Sequence, residues 1–124
     1  MIEKKIPGNI QRRFFKNICW QDEYGRDSWT RKETDIEDAE VVSSKIAHSD
    51  RHAPAIDIDV PAYLIPSSTP GHSHLYIDVA MSWRQYKKLL KALDQAGIVE
   101  YGYLRASLKR KRTDLRVPWL KKGM

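Results

Sequence analysis

The stretch that decides the fold is SWRQYKKLLKALDQAG, residues 82–97 of this 124-residue sequence. Its apolar side chains recur every three or four residues, so in a helix they form one stripe: Trp83, Tyr86, Leu89, Leu90, Leu93 and Ala96. Ser82 is a favoured N-cap residue, and Gly97 suits the position just after the helix. The sequence therefore predicts an amphipathic helix over residues 82–96 whose stripe packs in a core.

Two short stretches before this helix have the composition of strands. Residues 61–66 are extended between two prolines, and residues 67–71 form a turn that ends in Pro-Gly. Residues 72–79 alternate, so that one face carries His72, His74, Tyr76 and Asp78. With the helix, these stretches predict a small α+β fold: a mostly antiparallel sheet with the helix packed on one face.

Residues 53–60 predict a further strand, which contains the sequence Ala-Ile-Asp-Ile-Asp-Val. In a strand, Asp57 and Asp59 share one face, and their mutual repulsion favours a cation between them. Mg²⁺ and Mn²⁺ take oxygen ligands, so a metal site at Asp57 and Asp59 is one interpretation. The alternative is a solvated acidic face or ion pairs with arginine.

The rest of the chain gives weaker patterns. Residues 18–34 predict a hairpin, with Trp20 and Trp29 on either side of a turn at residues 23–26. Residues 35–50 fit a loop, a strand or a short helix. Residues 103–112 fit a short basic helix or an irregular segment, and residues 113–119 predict a final strand.

Composition limits the class of protein. The length suits one domain, with residues 1–50 as a hairpin and acidic segment and residues 53–122 as the core. The net charge is +6, and the basic residues concentrate in the last third, which indicates a nucleic acid or nucleotide partner. A single cysteine, no signal-peptide pattern and no long apolar run lead us to expect a cytoplasmic protein without membrane contact.

Three motifs occur in order along residues 53–122: the Asp57-Ile58-Asp59 pair, the turn and strand around His72-Ser73-His74, and Arg116-Val117-Pro118 followed by lysines. This order resembles the archaeo-eukaryotic primase superfamily, the primase-polymerases of plasmids, phages and mobile elements. The chain is also similar in style to small actinobacteriophage proteins. The resemblance implies a reduced primase-polymerase palm, acting in the cytoplasm of a bacterial host.

The resemblance also implies roles for individual residues. Asp57 and Asp59 would hold Mg²⁺ or Mn²⁺, with Asp114 as the candidate third catalytic carboxylate. The nucleotide phosphates would be bound by His74, with His72 as an accessory group, and by Arg116, Lys121 and Lys122. Lys109, Arg110, Lys111 and Arg112 are either a patch for the nucleic-acid backbone or an exposed loop.

Several alternatives stay open from the sequence. Arg116 can neutralise the aspartates in place of a metal, and His74 can hydrogen-bond to them as an ordinary structural pair. The expected function is binding of nucleotide or nucleic-acid phosphate without full polymerase activity. The alternatives are a non-catalytic protein that binds a host protein or DNA through its basic C-terminal face, and a minimal metal-dependent nucleotidyltransferase or nuclease.

Overall fold

The computed structural model describes residues 3–120, and this part of the chain is an α+β protein with only antiparallel strand pairing. Its elements are β1 (Arg12–Gln21), β2 (Asp27–Thr34), β3 (Val41–Ile46), β4 (Ala62–Pro66), β5 (Ser73–Ile77), α1 (Trp83–Gln95) and α2 (Tyr101–Arg110). The chain forms two compact units, Met1–Asp57 and Ile58–Met124. The predicted class and antiparallel pairing are confirmed, with the strands divided between two sheets. Whether the whole chain acts as a single domain stays a prediction.

The first unit is a three-stranded sheet in the order β2-β1-β3. β1 and β2 form the predicted hairpin, paired from Phe14 and Thr34 to Gln21 and Asp27. At the turn, Gly25 has a φ of +76°, which a residue with a side chain rarely adopts. One carboxylate then closes the turn by accepting hydrogen bonds from two backbone amides and a guanidinium group.

That carboxylate belongs to Asp22. It accepts from the amides of Tyr24 and Arg26 at 2.9 Å each and from Arg26 Nε at 2.8 Å. The Arg26 backbone amide is the main reason that the pKa of Asp22 lies below its ordinary value, because it stabilises the ionised form. The turn is therefore specified by local hydrogen bonds.

The first unit ends where the chain leaves β3. Residues 35–50, which the sequence left open, contain β3, and this strand pairs with β1 on the side opposite β2. After it, the buried Ala53 donates its amide to the Ser44 carbonyl at 2.8 Å. The Arg12 guanidinium donates to the carbonyls of Ala53 and Pro54. These contacts fix the chain to the sheet as far as Pro54.

The predicted strand Ala53–Val60 is wrong. The segment is irregular, and residues 54–60 make no backbone-to-backbone hydrogen bond within the described chain. Pro54 and Pro61 lack amide protons, and no neighbouring strand pairs with the residues between them. Ile56 in the middle of this segment is 75% exposed.

The second unit begins with the β4–β5 hairpin, which confirms the predicted extended piece and strand. Tyr63 lies opposite Tyr76, and Ile65 lies opposite His74. The turn between the strands is closed by a hydrogen bond from the Ser67 amide to the His72 carbonyl at 3.0 Å. His72 thus lies in the turn, one residue before β5.

The two helices contact each other, and they carry the buried residues of this unit: Leu90 of α1, and Leu104 and Ser107 of α2. The α1 N-terminus is a capping box: Ser82 Oγ accepts from the Gln85 amide at 3.1 Å, and Gln85 Oε1 accepts from the Ser82 amide at 2.9 Å. The predicted helix is confirmed.

The segment after α2 does not form the predicted final strand. Residues 113–117 are irregular and pair with no other strand. The segment is instead attached by a side-chain contact, between Tyr86 Oη and Thr113 Oγ1 at 2.8 Å. The residue types of this segment alternate as in a strand, but no strand of the described chain pairs with it.

Replacing Ser82 with alanine removes the Oγ acceptor of the capping box and keeps the backbone amide that donates to Gln85 Oε1. We expect the free energy of unfolding to fall by about 1 kcal/mol, measured by urea denaturation followed by circular dichroism. Ser82→Thr is the matched control, because it keeps the hydroxyl and should stay close to the parent. Equal losses in the two variants would contradict a capping role.

Candidate functional site

Two predicted phosphate contacts lie together in the second unit. His74 of β5 and Arg116 of the segment after α2 line one surface depression, with Ser67 and Ser68 from the β4–β5 turn on its wall. The depression holds about 20 Å³. That is room for about one oxygen-sized group, since a water needs roughly 10–15 Å³. We call it the His74–Arg116 depression.

The local structure explains why His74 takes part. β5 alternates, so His74 and Tyr76 share one face and are half-buried, whereas Leu75 and Ile77 are exposed. The neighbouring turn is held by Ser67, whose Oγ accepts from the Thr69 amide at 3.2 Å. The predicted shared face of His74 and Tyr76 is confirmed, and it is the more buried face of the hairpin.

A larger apolar groove adjoins the depression. It has a volume of about 910 Å³, and it shares Ile65, Val117 and Pro118 with the His74–Arg116 depression. Its aromatic lining comes from the hairpin, α1 and the segment after α2: Tyr63, Tyr76, Tyr86 and Trp119. No Cα atom of α1 lies within 8 Å of one in β4 or β5, whereas α1 and α2 approach each other within that distance.

The polar groups at the groove are few. Tyr86 and Thr113, joined by their hydroxyls, lie on its wall, as does Asp78. Burial raises the pKa of the neighbouring Tyr103 above its ordinary value of 10.0, because the phenolate is penalised where water is excluded. A nearby charge, that of Asp114, acts in the same direction.

The predicted acid pair is not built into a strand. Asp57 closes the first unit and Asp59 lies in the second, and both are exposed. Among residues 3–120, no group of three or more His, Cys, Asp or Glu side chains is arranged to hold a metal ion. The residues therefore do not form a recognisable Mg²⁺ or Mn²⁺ site, and metal binding stays a prediction.

Arg116 does not neutralise an aspartate of its own unit. Within residues 58–120 it forms no ion pair closer than 4.0 Å, so its guanidinium group is available at the depression. Asp114, the candidate third carboxylate, is instead paired with Arg112, at 3.0 Å between Arg112 Nε and Asp114 Oδ1. Asp114 lies in the irregular segment where a final strand was predicted, so no strand alternation places it on one face with Arg116.

The other predicted contacts lie at the surface. Lys109 and Arg110 are exposed in the last turn of α2, and Lys111 follows in the left-handed conformation at φ +59°. His72 is exposed in the hairpin turn. Lys121 and Lys122 lie outside the described residues. The C-terminal end of α2 thus exposes cationic side chains to solvent. Both interpretations of residues 109–112, a patch for the nucleic-acid backbone and an exposed loop, predict this exposure.

Sequence reasoning missed the apolar groove. The Tyr86 and Leu89 side chains were assigned wholly to a core, but they line the groove, and Trp119 is 80% exposed. A signal was present in the helical stripe, which mixes aromatic with aliphatic residues beside a tyrosine-bearing hairpin. The spacing between helix and hairpin that leaves the groove open is a tertiary property.

No protein-family model, curated protein or solved structure matches this chain. The relationship to the primase superfamily stays a prediction. Among the described helices, neither combines the length and apolar character needed to cross a membrane.

Tyr103 is half-buried beside Tyr86 and Thr113, and its burial can be tested through the pH dependence of stability. Because its folded-state pKa is raised, its neutral form stabilises the protein fully below the unfolded pKa of about 10, and this stability is lost as the pH rises through the folded pKa. Urea denaturation at several pH values should show a steeper alkaline loss in the parent than in Tyr103→Phe. Identical alkaline profiles would contradict the burial of this phenol.

Proposed function

We propose that this protein binds a nucleotide, free or at the end of a nucleic acid, without catalysing polymerisation. In the proposal a phosphate oxygen lies in the His74–Arg116 depression, and the base and sugar lie in the apolar groove. One observation carries the proposal: a cationic depression and an aromatic groove share the walls Ile65, Val117 and Pro118. A nucleotide has the same two parts, an anionic end and a flat ring, joined at short distance.

The chemistry of the depression supports phosphate as the anion. A guanidinium group presents several donors in a planar fork that matches phosphate oxygens, and an imidazole N–H adds a further donor. The net charge of +6 favours anionic ligands at long range. Because the depression admits only about one oxygen, the remaining phosphate oxygens would stay in solvent.

The size and the lining of the apolar groove support the proposal that a base binds there. Its volume of about 910 Å³ lies within the range of ligand sites, roughly 300–1,000 Å³. Stacking of a base on an aromatic side chain contributes about 1–3 kcal/mol. Tyr63 is 58% exposed and Trp119 is 80% exposed, so both present ring surface for such contact.

The two alternatives have less support. A nucleotidyltransferase needs carboxylates that hold a metal, and Asp57, Asp59 and Asp114 are not grouped for that purpose in the described residues. Binding of a host protein or DNA through the basic C-terminal face rests on the exposed cations at the end of α2. In the proposal this run, Lys109 to Arg112, adds backbone contacts when the nucleotide belongs to a polymer.

Arg116→Gln should weaken ATP binding by roughly 10- to 100-fold in isothermal titration calorimetry, because hydrogen bonds to charged groups contribute about 1.5–3 kcal/mol. Arg31→Gln, an exposed position on β2, is the matched control and removes the same charge. We expect the control to bind like the parent. Equal affinities for parent, Arg116→Gln and Arg31→Gln, or no binding by the parent, would refute the proposed site.

The role of metal has a separate test. Since the proposed contacts come from cationic and aromatic side chains, ATP affinity should persist in EDTA and in Asp57→Asn/Asp59→Asn. The measurement is calorimetry with and without Mn²⁺. A loss of affinity that appears both on chelation and in the double variant would instead restore the predicted metal site.

A further inference from the structure

The central hairpin of the first unit places two like charges side by side. The register pairs Lys16 of β1 directly with Lys32 of β2. Directly opposed residues have Cβ atoms about 4.5–5.5 Å apart, and like charges in this arrangement destabilise a sheet. No ion pair within 4.0 Å neutralises either lysine among the described residues. The sheet therefore holds an uncompensated cationic site.

On one face of the hairpin, neither β1 nor β2 contributes an acidic residue. Strand alternation places Lys16 and Lys32 on the face that also carries Phe14, Ile18, Trp20, Ser28, Thr30 and Thr34. We call this the lysine face. The acidic residues of the two strands, Asp27 and Glu33, lie on the other face, where Glu33 pairs with Arg13 at 3.7 Å. The lysine face thus carries cations with no acidic residue from either strand, whereas the other face carries charges of both signs.

One carboxylate lies near the edge of the lysine face. Glu40 precedes β3, and its Oε1 accepts a hydrogen bond from the Asn17 amide at 3.2 Å. It forms no ion pair within 4.0 Å with either lysine. Glu40 thus adds one negative charge beside two lysines, so the site as a whole keeps a net positive charge that favours an anion.

An aromatic ring lies on the same face. Trp20 is 50% exposed and is four residues along β1 from Lys16, which corresponds to about 13–14 Å in a strand. Ser28 lies opposite Trp20, and Thr30, opposite Ile18, adds a hydroxyl group between the ring and the cations. The face therefore presents a stacking surface and a phosphate-binding pair along one line.

We infer that the lysine face binds single-stranded nucleic acid, with backbone phosphate held between Lys16 and Lys32 and a base stacked on Trp20. Charge complementarity selects a polyanion, and the exposed ring selects unpaired bases, because a duplex covers the flat surfaces of its bases. This site lies in the first unit and uses none of the residues of the His74–Arg116 depression. It extends the proposed function from a nucleotide to a polymer.

The test is fluorescence anisotropy with a labelled oligothymidylate of about 20 nucleotides and with a duplex of equal length. Lys16→Gln/Lys32→Gln should weaken single-strand binding by roughly tenfold or more and reduce the salt slope by about 0.7, the contribution of the one phosphate that the two lysines share. Arg31→Gln/Lys45→Gln removes the same charge from the first unit and should change affinity much less. Thermal unfolding should show no loss of stability in the lysine variant, because repulsion is removed.

The aromatic part is tested by Trp20→Leu, with Trp20→Phe as the variant that keeps a ring. We expect weaker single-strand binding in the first variant, recovery in the second, and an unchanged salt slope in both. Equal effects of the two charge variants, or equal affinity of the parent for duplex and single strand, would overturn the inference. The proposed nucleotide site fails separately, since ATP affinity should respond to Arg116→Gln and not to Lys16→Gln/Lys32→Gln.

Discussion

Regular backbone hydrogen bonding stops between Ala53 and Ala62, and the architecture depends on this interruption. The Ala53 amide makes the last backbone contact of the first unit, and the Pro61 carbonyl, which accepts from the Asp78 amide at 2.8 Å, makes the first of the second. Between them, prolines at 54 and 61 remove two donors and no strand lies alongside. Backbone groups without protein partners must remain in water, so this segment is exposed. Each unit consequently closes its own hydrogen bonds.

The interruption also decides which residues can act together. Asp57 and Asp59 would share one face only if they belonged to a strand. Without a ladder to fix alternation, their relative orientation is not imposed by the fold. His74, by contrast, is held by its pairing with Ile65 inside a closed hairpin. The proposed phosphate site therefore rests on the cationic side chains of the second unit and not on the acid pair.

Both proposed binding surfaces arise where packing or charge balance is incomplete. In the second unit, α1 packs on α2 and leaves an aromatic groove toward the hairpin. In the first unit, the β1–β2 register places Lys16 against Lys32 at some cost to the sheet. Folded proteins tend to keep such unfavourable local choices at functional positions. The same hairpin satisfies its other charges locally, as the Asp22 turn shows.

The sequence by itself determined the elements whose causes are local: the α1 helix with its Ser82 cap, the hairpin around Gly25 and the hairpin around Pro70-Gly71. These follow from periodicity, capping and turn chemistry, which act over a few residues. Only the tertiary structure decided the rest. Residues 53–60 and 113–119 have strand-like composition, but a strand needs a partner, and composition does not report one. The approach of His74 to Arg116, the groove beside them and the Lys16–Lys32 register all depend on chain segments that meet only after folding.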